Sequence, residues 1–223
     1  MKIKGVIFDL DGTVVENSYD WLRIREELGT GATSILTYLD SLEGPERSRK
    51  WSVLETHEAE QTEASVLRGG VRGLLGLLRE RGIATALVTN NSRKNTDFLL
   101  NKFGLAFDCV ITRESGLWKP SGAPFLEVLK RLDLEPGDCC VVGDTSFDVL
   151  AAIDAGIGVI FLLSGEPEKF AGFPVEVFPD MAFLKEYLES RLAVGPSFAA
   201  DGTKRRPPLY KGMTGRSSNK RKE

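Results

Sequence analysis

Ile3-Lys4-Gly5-Val6-Ile7-Phe8-Asp9-Leu10-Asp11-Gly12-Thr13 is the stretch whose reading decides the fold. Its apolar run reads as a β-strand over residues 3–9, with two carboxylates at i and i+2 where the strand gives out. In a continuing strand Asp9 and Asp11 would face the same side. Gly12 instead turns the chain away and leaves both carboxylates at the strand's C-terminal end, where open α/β sheets bind ligands. A plain Asp-Gly turn would look similar. Four fixed residues at ordinary abundances arise by accident with a chance of roughly 10⁻³ in a chain of this length.

Outward from that strand the pattern first turns helical. Helices are expected from about Tyr19 to Leu28, Ala32 to Leu42 and Glu46 to Leu67, broken by Gly29-Thr30-Gly31 and Gly44-Pro45. After Arg68-Gly69-Gly70 short apolar runs alternate with helical ones. Strands are expected at 83–88, 109–111, 139–142 and 157–163, and helices around 74–78, 96–103, 125–132, 147–155 and 181–192. Strand–helix alternation predicts an α/β fold: a Rossmann-like open parallel sheet flanked by helices, with a small all-helical cap inserted after the first strand. The expected division is a core of residues 1–17 and 69–194, a cap of 18–68, and a basic tail of 195–223 read as disordered.

Composition narrows the classes. With 223 residues, 42% hydrophobic, the chain has enough apolar content for a substantial core, and its net charge of −3 names no partner. No run approaches the roughly 18 apolar residues that span a bilayer, so no membrane partner is expected. The N-terminus reads as a core strand rather than a signal peptide. Three cysteines, Cys109, Cys139 and Cys140, form no disulfide framework and point to a reducing cytoplasm. His57 is the single histidine, which excludes a multi-histidine zinc site and reads as a surface helix residue. Chemistry is therefore expected from carboxylates, lysine and a hard metal ion.

Val142-Gly143-Asp144-Thr145-Ser146-Phe147-Asp148 also runs from a buried strand into a helix. Asp144 falls at the strand end and Asp148 four residues on, on the same helix face. Asp9, Asp11, Asp144 and Asp148 would form an acidic nest that a divalent cation relieves, and few carboxylates suit magnesium better than calcium. Thr89-Asn90-Asn91-Ser92 closes one strand and opens a helix, a place suited to a phosphate oxygen. Lys119-Pro120 offers a cation to offset phosphate and Asp9.

Taken in order over about residues 3–163, these four motifs resemble the haloacid dehalogenase superfamily, in its first, helical-cap subclass. Asp9-x-Asp11-Gly12-Thr13 matches the first motif, Thr89 the second, Lys119-Pro120 the third and Gly143-Asp144-x-x-x-Asp148 the fourth. Within the superfamily the core is most similar to the phosphoglycolate-phosphatase-like group. The resemblance implies a magnesium-dependent phosphatase acting on a small-molecule phosphomonoester. Asp9 would be the nucleophile that forms an aspartyl-phosphate, and Asp11 the general acid/base. Thr89 and Lys119 would assist catalysis, and Mg2+ would sit on Asp9, Asp11 (through its backbone carbonyl), Asp144 and Asp148. Phosphate would be held by Asp9, Leu10, Asp11, Gly12, Thr89, Asn90 and Lys119. The family's strand order puts the first strand between those that carry Thr89 and Asp144.

Asp11 and Thr13 favour phosphoryl transfer over attack on carbon, since superfamily dehalogenases lack that second aspartate. A phosphomutase, a phosphonatase needing a cap lysine (the cap has only Lys50), and a non-catalytic phospho-ligand-binding protein are the alternatives. The sequence departs from the family at Gly122, where proline is frequent, and at Asn91-Ser92, where many phosphoglycolate phosphatases carry lysine. Arg23, Arg25 and Arg68 are candidates to meet a substrate carboxylate, though arginines on a helix usually form a solvated face. Trp21 and Trp51 read as cap-core residues rather than a substrate platform. The tail carries eight Lys or Arg against Asp201 and Glu223, so a nucleic-acid contact is a second, less favoured partner beside a small phosphorylated metabolite. The oligomeric state is not legible.

Overall fold

The computed structural model describes residues 3–31 and 33–192; the basic tail over 195–223 lies outside the described residues. Six strands form one parallel sheet: β1 (Gly5–Phe8), β4 (Ala84–Val88), β5 (Cys109–Ile111), β6 (Cys139–Gly143), β7 (Val159–Leu163) and β8 (Glu176–Phe178), in the order β5-β4-β1-β6-β7-β8. Helices α4 (Val71–Glu80), α5 (Arg93–Phe103), α6 (Ala123–Leu132), α7 (Ser146–Asp154) and α8 (Met181–Arg191) flank it. β1 is central, paired with β4 on one side and β6 on the other. The strand order therefore reverses at β1, the switch point where such sheets open a crevice at their C-terminal ends.

Alternation along β1 builds both faces of the core. Val6 and Phe8 pack with Leu74, Leu78, Leu99, Phe107 and Phe161. Ile7 points the other way, toward Ala86, Phe125, Val128, Val149 and Ile160. Both faces are covered, which is why these strands read as continuous apolar runs rather than alternating ones. The three cysteines are free and buried. No helix among the described residues is long and apolar enough to cross a membrane.

Between β1 and β4 the chain makes a helical block: α1 (Trp21–Leu28), α2 (Ile35–Ser41) and α3 (Gly44–Ala64). It has its own apolar cluster of Ile24, Leu28, Ile35, Leu36, Leu39 and Leu54, against which Trp51 and Trp118 pack. Trp118 immediately precedes Lys119, so the block rests on a loop of the sheet's ligand end. Lys50 donates to the carbonyls of Glu27 (3.2 Å) and Leu28 (2.8 Å), closing the last turn of α1. His57 reaches Glu27 at 2.8 Å and ties α3 to α1, so it is a partly covered tie between helices rather than a free surface residue.

The expected helix from Glu46 to Leu67 stops at Ala64. Val66–Leu67 instead forms β3, antiparallel to β2 (Val15–Glu16), and this two-stranded ribbon carries both chain crossings into the block. Lys102 of α5 reinforces the stop by donating to the carbonyls of Glu63 (2.8 Å) and Ser65 (2.9 Å). A two-residue strand has no period of its own, and β8 is nearly as short; neither was expected from the sequence. Leu78 is fully buried in the sheet's core and Leu22 is 70% exposed on α1. Leu78→Ala is expected to lower the unfolding free energy by about 2–5 kcal/mol, and Leu22→Ala to change it by less than about 0.5 kcal/mol. Urea denaturation followed by circular dichroism checks both; equal effects would contradict this packing.

Candidate active site

Asp9 directly follows β1, Thr89 follows β4, Asp144 follows β6, and Lys119 lies on the loop before α6. The parallel pairing brings these ends together. Lys119 is the joint: its Nζ lies 2.7 Å from Asp9 Oδ1 and 2.6 Å from Asp148 Oδ1, and the lysine is only 3% exposed. The Leu10 backbone N–H donates to the same Asp9 Oδ1 at 2.7 Å. Asp9 Oδ2 receives no hydrogen bond from the described residues, and Asp9 lines a cavity of about 500 Å³.

Asp148 sits fully buried in the first turn of α7, and its oxygens are engaged. Oδ1 takes Lys119. Oδ2 accepts from the Thr145 backbone N–H at 3.0 Å, the Thr145 hydroxyl at 2.8 Å and, at longer range, the Asp144 N–H at 3.3 Å. This capping box satisfies the helix's first donors. It also saturates Asp148, so the structure favours a support for Lys119 over a directly exposed ligand. The sequence left both roles open.

Asp144 is held by the Thr13 hydroxyl at 2.9 Å. A Cβ on Gly12 would sit 2.1 Å from Asp144 Oδ2, and Gly12 has φ of +81°, so only glycine fits the turn. One carboxylate oxygen each of Asp9, Asp144 and Asp148 lie within 4.8 Å of one another. Asp9 and Asp144, with Asp148 behind them, make a hard, all-oxygen donor set of few ligands, which suits a small divalent cation that retains water. Burial pushes the Asp144 carboxyl up to about 7, with Asp148 adding to the rise. Burial also drives Asp9 well above its ordinary value, against the pull of Lys119 and with the push of Asp148 and Asp144. For Lys119 burial opposes the charge, but Asp148 and Asp9 outweigh it and hold the ammonium. A cation among these carboxylates would relieve the same repulsion.

Asp11 points away from that nest. Asn17 donates to its Oδ1 at 2.6 Å, Asn91 to Oδ2 at 3.0 Å, and the Thr89 hydroxyl approaches Oδ2 at 3.5 Å. Burial still raises its carboxyl, with Asn91, Lys119 and Asn17 pulling the other way. Asn17 and Asn91 were not singled out by sequence as holders of Asp11. Asn91 was noted only as a departure from a family lysine.

Several expected phosphate donors are engaged within the protein. The Leu10 N–H is on Asp9, and the Gly12 N–H donates to the Val15 carbonyl at 2.8 Å. Asn90 exchanges two 2.9 Å bonds with the Lys119 backbone, tying the lysine loop to the end of β4. Thr89, Asn90, Lys119, Asp9 and Asp11 all line the cavity.

Of the three arginines, only Arg25 lines the cavity. Arg23 is exposed and pairs with Glu27 at 3.0 Å. Arg68 donates to the Gly12 carbonyl at 2.6 Å and lies 3.5 Å from Glu16, so it braces the loop after β1. Trp51 packs in the helical block beneath Arg113, whose guanidinium lies 4.9 Å from its ring. Trp21 departs from the expectation: it is 46% exposed, stacks on Tyr19 at 4.4 Å between ring centres, and lines the cavity. Glu58 of α3 lines it too, 4% exposed and 2.5 Å from Arg113. A single glutamate in a helix rich in glutamates gives no sequence signal that it faces inward.

This constellation defines a hydrolase of α/β class with an aspartate at the switch point. The sequence profile of the haloacid dehalogenase-like hydrolases matches residues 3–156, and the chain belongs to that family. A phosphoglycolate phosphatase of Chromobacterium violaceum is 29% identical over 187 residues, which cover 71% of this chain and 84% of the relative. A haloacid dehalogenase-like hydrolase domain-containing protein of Arabidopsis thaliana is 25% identical over 163 residues, 67% of this chain and 66% of its own length. The crystal structure of CbbY from Rhodobacter sphaeroides in complex with phosphate shares the fold, with a TM-score of 0.62 at 22% identity, covering 82% of this chain and 96% of that one. Within the family the chain is phosphoglycolate-phosphatase-like.

The raised Asp144 carboxyl makes stability pH-dependent. Its folded value of about 7 lies above its unfolded value of 3.8. The associated stability is present below pH 3.8 and is lost as pH rises through about 7. In a chelator, Asp144→Asn is therefore expected to gain stability relative to the unaltered protein between about pH 4 and pH 7. Urea midpoints across that range test it; a pH-independent difference would show that Asp144 is not raised.

Proposed function

We propose that the protein is a magnesium-dependent phosphatase of small-molecule phosphomonoesters, working through an aspartyl-phosphate on Asp9 in the cytoplasm. The observation that carries this reading is the asymmetry of Asp9. Its Oδ1 is pinned by Lys119 and the Leu10 N–H, while Oδ2 takes no hydrogen bond from the described residues, and both Asp9 and Asp11 line the cavity. A carboxylate held by one oxygen and open at the other is positioned as a nucleophile.

In the first step Asp9 Oδ2 attacks phosphorus. The bond to the leaving alcohol breaks, and Asp11 delivers its proton to the departing oxygen. In the second step Asp11 takes a proton from water. That water attacks phosphorus, the bond to Asp9 breaks, and inorganic phosphate leaves. Asp11 must hold a proton at one stage and lose it at the next, and the upward push of burial supports the first requirement. Asn17, Asn91 and Thr89 fix its orientation. Lys119 neutralises charge on Asp9 and on the non-bridging oxygens, and Asp148 keeps the ammonium in place. Asp9, Asp144 and the backbone carbonyl of Asp11 would hold magnesium, with Asp148 behind them. When bound, the ion supplies neutralisation and orientation of the phosphoryl group. The helical block acts as the cap over the leaving group.

Phosphate release from p-nitrophenyl phosphate is expected with magnesium and lost in chelator. Asp9→Asn is expected to abolish it. Asp11→Asn is expected to lower kcat by about 10²–10⁴-fold, with a smaller loss on p-nitrophenyl phosphate, whose leaving group needs little protonation. Turnover by the Asp9→Asn protein would overturn the nucleophile assignment.

A further inference from the structure

The leaving-group side of the cavity carries a feature that the phosphatase chemistry does not use. Glu58 projects from α3 into it, and its Oε1 meets Arg113 Nη1 at 2.5 Å. Its Oε2 is buried and receives no hydrogen bond from the described residues. Arg113 follows β5 on the sheet side, so the pair bridges the helical block and the core. A buried carboxylate oxygen without a donor is costly unless something supplies one. Around it the cavity wall is apolar and aromatic: Trp21, Ile35, Leu36 and Leu54 line it with Tyr19. Arg25, the lining arginine, places Nη1 on the carbonyls of Thr33 (2.8 Å) and Gly31 (3.3 Å). Lys119 is committed to Asp9 and Asp148.

From this we infer that Glu58, set by Arg113, is a specificity-determining residue whose unpaired Oε2, covered at rest, takes a hydroxyl of the substrate's leaving group when the carboxylate turns toward the cavity. The substrate class is a phosphomonoester with an apolar, ring-sized body and a hydrogen-bond donor at its far end. A short carboxylated ester such as phosphoglycolate fits poorly, because it brings no hydroxyl to Glu58 and sets its carboxylate against that side chain in a cavity of about 500 Å³. Like charges brought together in a buried site are rejected, and a site built around one hydrogen bond discriminates strongly against a substrate that lacks the donor. The inference rests on the phosphatase reading for its reaction, but not for its binding.

Three aryl phosphates with matched leaving phenols test it, carrying a para hydroxyethyl, ethyl or carboxymethyl group. The intact protein with magnesium is expected to rank kcat/KM hydroxyethyl, then ethyl, then carboxymethyl, with at least about tenfold between the first and last. Glu58→Gln is expected to reduce that ratio to within about threefold. A carboxymethyl ester equal to or better than the hydroxyethyl one, or a uniform loss on all three in Glu58→Gln, would overturn the inference. Calorimetric binding of the same esters to the Asp9→Asn protein, with and without Glu58→Gln, separates the two readings. The same ranking in binding without turnover by the intact protein would sink the phosphatase reading and sustain this one. Equal binding of all three esters would sink this one alone. If Glu58→Gln does not fold, Glu58→Asp, which withdraws the carboxylate by one methylene, is expected to shrink the ranking in the same assays; an unchanged ranking would refute the role.

Discussion

The lysine at position 119 is the constraint on which the site depends. It is buried, and its charge is kept only because Asp9 and Asp148 meet it on two sides. Those partners come from different parts of the sheet, Asp9 after β1 and Asp148 on α7 after β6, while Asn90 after β4 holds the lysine's own backbone. One ammonium thus ties three adjacent strand ends. Removing one partner from a buried ion pair costs about 3–5 kcal/mol, because the remaining charge is stranded. The network is therefore weak evidence of stability gained, but a strong fixer of geometry: with Oδ1 of Asp9 captured, only Oδ2 is left without a hydrogen bond from the described residues.

Gly12 and Gly143 make the same point from the backbone. A Cβ on either would collide with an acidic side chain, Asp144 in one case and Asp148 in the other. The carboxylates can crowd the strand ends because the chain gives up its own side chains there. Thr13 and Thr145 then supply hydroxyls to the crowded groups, at 2.9 Å and 2.8 Å. Burial that raises carboxyls is consequently a property of the local chain path and does not require the helical block alone.

The central strand, the alternation that follows it and the residues that gather at its end were legible because each rests on short-range rules. Val6, Ile7 and Phe8 had to be buried, and Asp9 and Asp144 had to fall at strand ends. The expectation that the first strand lies between those bearing Thr89 and Asp144 came from the family resemblance, and the observed order agrees. What was not legible involves partners distant in the chain. The β2–β3 ribbon pairs residues some fifty positions apart through two residues each, too few to show a period. Arg68 was a candidate substrate arginine set against a plain solvated one, and its partner is the carbonyl of Gly12. Trp21 looked like core, but α1 turns it outward onto Tyr19. Asn17 is an ordinary loop residue until the fold places it on Asp11.

Glu58 shows why the helical block was the hardest part to read. Leu54, Glu58 and Thr62 are four residues apart and form the buried stripe of α3, so its inward face is largely polar. Helical periodicity searches for apolar stripes and passes over such a face. The two buried ionic systems of the molecule also differ in kind. Around Lys119 the ammonium is met on two sides, and burial serves to hold a reacting group still. Around Arg113 the pair is incomplete: burial pushes the Glu58 carboxyl up to about 7, against the pull of Arg113, and one buried oxygen has no hydrogen-bond partner among the described residues. An ammonium met on both sides positions what the protein already contains, whereas a carboxylate oxygen left without a donor in a cavity wall can be completed by what enters. The division of labour between sheet and helical block follows from that difference in hydrogen-bond accounting.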